Sequence, residues 1–371
     1  MNILINASNL SGGGGVQVAN SICMSLNTFT QHHFVVVGSA AMDKTIDAIE
    51  SYPNVEIFHY NYPTRDWKSL LTGRNDVLDC LVKDKEINCV LTVFGPMKWV
   101  PRCKHVQGFG LSHLVMPESP YFQRMGWKQS LKAKFSNAFN GFIFKRSSKI
   151  FYTENPMITE RVKKLFNIKD VYTITNYYNQ VFDEPNHWQE HKLPPFDGKQ
   201  FLIVSTRGPH KNIPIIIDVA KILRMTHPKF KFRFVVTVRE DEMPTIPVEL
   251  KKYFFFIGQV DIAECPPLYE QCDYSFQPTL LECFTATYPE AMRMKRPIIT
   301  TDLDFAHGLC GSAAVYYDPL NAKDAADKIY ELVKNPARAD SLVKNGEKQL
   351  KLFDSYKDRA SKIVELCEKT I

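Results

Sequence analysis

Phe201-Leu202-Ile203-Val204-Ser205-Thr206-Arg207-Gly208-Pro209-His210-Lys211-Asn212-Ile213 reads as an apolar strand, a Gly-Pro turn and the opening of a helix. The chain begins the same way. Asn2–Asn6 is strand-like and runs into Ser8-Asn9-Leu10-Ser11-Gly12-Gly13-Gly14-Gly15-Val16, with helical period from Gln17. Outward from these two openings, short apolar runs alternate with longer helical segments. In the first half the runs are His33–Val37, Val55–His59, Cys89–Val93, Lys149–Thr153 and Val171–Thr175. After Gln200–Ser205 come Phe230–Val238, Tyr253–Ile257, Asp273–Phe276, Pro297–Thr300 and Ala313–Tyr317. This alternation predicts an α/β fold of two doubly wound, Rossmann-like domains facing each other across a cleft, with ligands at the carboxyl ends of the strands.

The 371 residues suit two domains of about 150–200 residues each. We place the first at 1–182, a polar and proline-rich linker at 183–199, and the second at 200–354. A last helix, 355–371, follows a break near Phe353-Asp354 and can lie against either domain. An apolar fraction of 44% and a charged fraction of 23% are ordinary for a globular protein. The amino terminus lacks a signal pattern, and no apolar run reaches the roughly 18 residues of a membrane span, so a cytoplasmic protein is expected. The nine cysteines form no Cys-x-x-Cys pair and read as reduced, mostly buried thiols.

Charge is unevenly spread. Residues 101–150 hold nine basic side chains against one acid, Glu118, so this window is more positive than the whole chain, whose net charge is +6. Within it Trp127, Leu131, Phe135, Phe139 and Phe142 recur at helical spacing, with Lys128, Lys132 and Lys134 beside or opposite them. One reading is a domain helix that buries its aromatic stripe. The other is a patch, spanning 122–149, that leans on anionic lipid to reach a lipid-linked acceptor. No nucleic-acid-binding motif accompanies the charge.

Three clusters carry chemistry. The glycine loop Gly12, Gly13, Gly14, Gly15 lets backbone N–H groups converge on a ligand. It is not Gly-x-Gly-x-x-Gly, because residue 17 is Gln, and no acid closely follows the second strand, which disfavours a nicotinamide-dependent dehydrogenase. Arg207 and Lys211, four residues apart across a Gly-Pro turn, can neutralise a diphosphate leaving group. Glu282-Cys283-Phe284-Thr285-Ala286-Thr287-Tyr288-Pro289-Glu290 straddles a loop-to-helix junction. Its backbone N–H groups suit phosphates, and a carboxylate one turn further in suits a ribose diol.

Arg207…Lys211, Phe256-Ile257-Gly258, Leu268-Tyr269…Cys272-Asp273, Pro278-Thr279-Leu280-Leu281-Glu282…Glu290-Ala291-Met292, Pro297-Ile298-Ile299-Thr300-Thr301-Asp302 and Ala313…Asp318-Pro319 come in an order that resembles retaining glycosyltransferases of family 4 (group 1 type). The likeness spans most of residues 200–355; the first half is looser, resting on the glycine loop, Tyr152-Thr153-Glu154-Asn155 and Ile174-Thr175-Asn176. The resemblance implies a GT-B fold with a nucleotide-sugar donor domain at 200–354, an acceptor-side domain at 1–182 and the final helix packing back on the latter. It implies that Glu290 holds the ribose and that Arg207 and Lys211 hold the diphosphate, with backbone near Phe284, Thr285 and Ala286. Glu282 would touch the donor sugar, Gly258 would lie near the base, and loop 12–15 would close the cleft. It further implies no cofactor and no metal. The donor would be a UDP-, GDP- or ADP-sugar, and the acceptor a carbohydrate or lipid-linked glycan in surface polysaccharide biosynthesis, with a peripheral location at the inner membrane face.

The chain departs from the commoner family pattern at Cys283 and Thr285, where glycines are usual, and at Thr287, where proline is usual. A histidine found near the donor sugar in many relatives aligns here with Gly110, between His105 and His113, which leaves His113 as an acceptor-side candidate. Two alternatives stay open. One is a GT-B nucleotide-sugar epimerase or hydrolase using His105 or His113 as its acid or base. The other is a non-catalytic GT-B binding subunit.

Overall fold

The computed structural model describes residues 1–369 and divides into two units. The first comprises Met1–Pro117, Gly126–Asn176 and the chain from Asp354; the second comprises Glu118–Met125 and Tyr177–Phe353. The helix Tyr356–Lys369 belongs to the first unit; the last two residues of the 355–371 segment lie outside the described residues.

In the first unit seven parallel strands are β1 (Asn2–Ala7), β2 (His33–Gly38), β3 (Val55–His59), β4 (Cys89–Thr92), β5 (Lys104–Gly108), β6 (Ile150–Thr153) and β7 (Val171–Thr173), in the order β3-β2-β1-β4-β5-β6-β7. Runs such as Ile3-Leu4-Ile5 and Phe34-Val35-Val36-Val37 are buried on both faces, as a parallel sheet covered by helices requires. Sequence periodicity missed β5, because Lys-His-Val-Gln-Gly does not read as a core strand. It is one because its buried histidine is bonded at both ring nitrogens and its glutamine oxygen accepts a hydrogen bond, although Gln107 Nε2 is buried with no partner among the described residues. His105 Nδ1 lies 2.7 Å from the Ser147 carbonyl and its Nε2 2.9 Å from Thr92 Oγ1, while Gln107 accepts from Ser147 Oγ at 2.6 Å. The helix Tyr356–Lys369 adds Ile363, Val364, Leu366 and Cys367 to the core that β1 and β4 build.

The second unit holds six parallel strands: β8 (Lys199–Ile203), β9 (Phe232–Val236), β10 (Phe254–Phe256), β11 (Tyr274–Gln277), β12 (Ile298–Thr301) and β13 (Ala314–Tyr317). Their order is β10-β9-β8-β11-β12-β13. Both sheets thus share one winding, in which the first strand of each unit has its second and fourth strands as neighbours. The 183–199 stretch, read from sequence as a linker, lies within the second unit and is pinned along it. Gln189 N donates to the Ala263 carbonyl at 3.0 Å, Gln271 Nε2 to that of His191 at 2.7 Å, and Arg233 to that of Pro194 at 2.7 Å. Its prolines and polar residues serve a bonded extended strap, and the chain changes unit earlier, between Asn176 and Tyr177.

The aromatic stripe of the basic segment is not buried. The helix Trp127–Ser147 turns Ser130, Ala133, Asn137, Asn140 and Gly141 partly inward, with Asn137 Nδ2 donating to the His113 carbonyl at 2.9 Å. Small inward residues allow close backbone approach and leave the aromatic face to solvent. Among the described residues no helix is long and apolar enough to cross a membrane.

Candidate functional site

The winding of the second sheet reverses between β8 and β11, so the chains leaving their carboxyl ends diverge and open a crevice there. Residues 204–212 leave β8 and residues 278–286 leave β11. The two loops are joined. Lys211 Nζ forms an ion pair with Glu282 Oε1, which also accepts from Thr279 Oγ1 at 2.9 Å. Leu280 N donates to the His210 carbonyl at 2.7 Å, an oxygen that lies 3.3 Å from Thr279 Oγ1. Asn212, held at φ 50°, ends the turn that points Lys211 at the other loop. Arg207 lies exposed on the same loop with no ion-pair partner among the described residues. Burial lowers the proton affinity of the His210 imidazole, while the Glu282 carboxylate partly opposes it.

Glu290 sits in the helix Thr287–Arg293 and is buried, with the Tyr269 hydroxyl donating to Oε2 at 3.3 Å. Desolvation pushes its carboxyl up to about 7, the Tyr269 hydrogen bond opposing. No cation is bonded to it among the described residues, so the carboxylate is underprovided with donors. A pair of ligand hydroxyls would supply what it lacks.

The intervening loop is ordered by its own side chains. The Phe284 ring packs edge-on against Phe353 with centroids 5.8 Å apart, and the Thr285 and Thr287 hydroxyls are 2.9 Å apart. Ala286 precedes the helix, and its carbonyl accepts from Glu290 N at 2.9 Å. Tyr288 OH reaches Thr300 Oγ1 at 2.7 Å, anchoring the helix start to β12. Cys283 is buried and forms no disulfide. Gly258, at φ 74°, follows β10 and lines a cavity of about 610 Å³ with Arg239, Phe256, Ile257 and Gln259. Among the described residues no group of three or more His, Cys, Asp or Glu side chains is placed to hold a metal ion.

Gly12–Gly15 and His113 belong to the first unit. The helix after β1 begins at Gly13 rather than near Gln17, so the loop's last glycines form its first turn. Gly12 and Gly13 take φ 153° and 68°, which side chains with a Cβ rarely adopt, and a Cβ at Gly12, Gly13 or Gly14 would meet nothing within 4 Å. The glycines therefore serve conformation and an uncovered backbone. His113 sits in the short helix Ser112–Val115. His105 is enclosed in β5, where desolvation holds it down to about 4, so it is a neutral structural histidine.

Sequence reading missed the segment that braces these loops. Residues 118–125 belong to the second unit. Ser119 Oγ donates to the Leu280 carbonyl at 2.7 Å, Arg124 donates to Asn212 Oδ1, and the Tyr121 ring lies edge-on to His210. Nothing local in the sequence signals partners this distant along the chain. Nothing local in the sequence marks Tyr269, whose hydroxyl meets Glu290 only once the chain has folded.

Residues 186–349 match the family model described as glycosyl transferases, group 1. A search of curated proteins finds no match. Among solved structures, a glycosyltransferase from Rickettsia africae ESF-5 is similar with a TM-score of 0.71 and 14% identity, over 100% of this chain and 98% of that one. Sucrose-phosphate synthase from Thermosynechococcus elongatus gives 0.71 and 14%, over 99% and 98%. Anabaena HepE, solved with UDP and glucose, gives 0.66 and 14%, over 99% of each chain. At such identity the likeness shows the fold, which is GT-B, with two Rossmann-like α/β units.

Proposed function

We propose that the protein is a retaining glycosyltransferase. It would move a sugar from a nucleoside-diphosphate donor to a carbohydrate or lipid-linked glycan acceptor in surface-glycan biosynthesis. The observation that carries this reading is the joining of Lys211 to Glu282 across the switch point of the second sheet, one loop away from buried Glu290, inside the segment that matches the group 1 family model. The likeness to HepE, which binds UDP and glucose, favours a UDP-sugar as the first donor to try, ahead of GDP- and ADP-sugars.

In this reading Glu290 accepts from the ribose hydroxyls. Lys211 and Arg207 neutralise the diphosphate as its bond to the sugar breaks, and Glu282 meets the sugar. The leaving phosphate assists the incoming acceptor hydroxyl on the same face, which retains the anomeric configuration and asks nothing of a metal. A panel of UDP-, GDP- and ADP-sugars, screened for binding and slow hydrolysis, tests it. Glu290→Ala should weaken nucleotide binding by about 1–3 kcal/mol through lost charge-assisted hydrogen bonds. Unchanged affinity removes Glu290 from the site, and an inverted product overturns the mechanism.

A further inference from the structure

The helix Trp127–Ser147 is amphipathic in the wrong sense for a domain helix. Trp127, Leu131, Phe135, Phe139 and Phe142 are 74%, 49%, 70%, 44% and 57% exposed, while only Ile143, Phe144 and Ser147 are buried. At about 100° per residue the five apolar side chains share an arc of about 120° on one face. By the same count Lys134 and Lys132 lie about 20° beyond its two ends, Lys145 and Lys128 fall within it at about 0° and 100°, and the helix contains no acid. The carboxyl-terminal end is fastened, since Arg146 donates to the Ser69 carbonyl at 2.6 Å and also to that of Leu70 in the helix Trp67–Thr72. That helix exposes Trp67 and Leu71.

We propose that this face docks on an anionic phospholipid bilayer, with the helix lying in the plane of the interface. Aromatic rings in the centre enter the headgroup–acyl boundary, and the flanking lysine stems run along it with their ammonium groups among the phosphates. The charge selects this occupant over a second copy of the chain, because two such faces would oppose cation to cation. The inference uses only the exposure and charge of this helix, so it stands apart from the donor-site reading.

Co-sedimentation with phosphatidylcholine vesicles, with and without about a third phosphatidylserine, tests it on the full chain. Binding should require the anionic lipid, weaken with salt, and fall on the order of a hundredfold in Lys128→Glu/Lys132→Glu/Lys134→Glu. Phe135→Ser/Phe139→Ser should also lose binding, and brominated acyl chains should quench a fluorescence that Trp127→Phe removes. Far-UV circular dichroism and nucleotide binding report whether each variant is folded. Binding indifferent to anionic lipid overturns the proposal, as does binding unaltered by the phenylalanine changes, which marks a general polyanion patch such as a nucleic-acid surface. A dimer in solution that Phe135→Ser splits would assign the face to self-association and overturn it equally.

Discussion

Burial pushes two carboxyls, Glu290 and Glu154, up to about 7, Glu154 despite the attraction of nearby Arg359. A raised acid means that the folded chain binds more protons than the unfolded one between about pH 4.3 and 7. Stability from these groups is therefore fully present below about pH 4.3 and is lost as pH rises through about 7, by about 3–4 kcal/mol for each. Of the two, only Glu290 belongs to the site proposed to bind donor, and ribose hydroxyls need its ionised form. Donor affinity should therefore increase from pH 5.5 to 8 and level off above about 7. Titration calorimetry with an intact nucleotide sugar reads this without the second ionisation, near 6, of a terminal phosphate. Glu290→Gln should flatten the profile; a slope that persists in that variant assigns the proton elsewhere. The sequence named Glu290 but not this behaviour, since the desolvation comes from residues brought together only by folding.

The link between the β8 and β11 loops sets a competition. Lys211 cannot fully serve a diphosphate while it is paired with Glu282. Glu282→Gln should leave the affinity for the bare nucleoside diphosphate unchanged or tighter, while turnover falls about 10²–10³-fold. Lys211→Ala should lower both, with about 1.5–3 kcal/mol lost in binding. Comparing the inhibition constant of the diphosphate with kcat checks this; loss of diphosphate affinity in Glu282→Gln rules out the competition. Elements of this kind were legible where the signal was local. β-Branched and aromatic runs located twelve of the thirteen strands found among the described residues, and the cations after β8 and the acid after β11 stood out as motifs. What escaped depends on partners far along the chain: β5 with its doubly bonded histidine, and the Ser119–Arg124 brace. The stripe on Trp127–Ser147 has the period of a buried helix, and only the structure shows that the opposite, small-residue face turns inward.

At the scale of the whole molecule the chain does not build its units in order, because the first is completed by its final helix. Ile363, Val364 and Leu366 enter the core around β1 and β4, and Arg359 is enclosed with its guanidinium on Asn176. Burial of three such aliphatic side chains contributes about 1.5–3 kcal/mol each, a sum comparable with the whole stability of a domain. Truncation after Phe353 should therefore unfold the first unit. The second keeps its six strands and the Lys211–Glu282 and Tyr269–Glu290 contacts, all of which lie upstream of the cut. Calorimetry should lose one transition and retain another that a nucleoside diphosphate still raises. Loss of every cooperative transition would mean that the second unit does not fold alone. A retained transition that no nucleotide moves would mean that its loops do not suffice for binding.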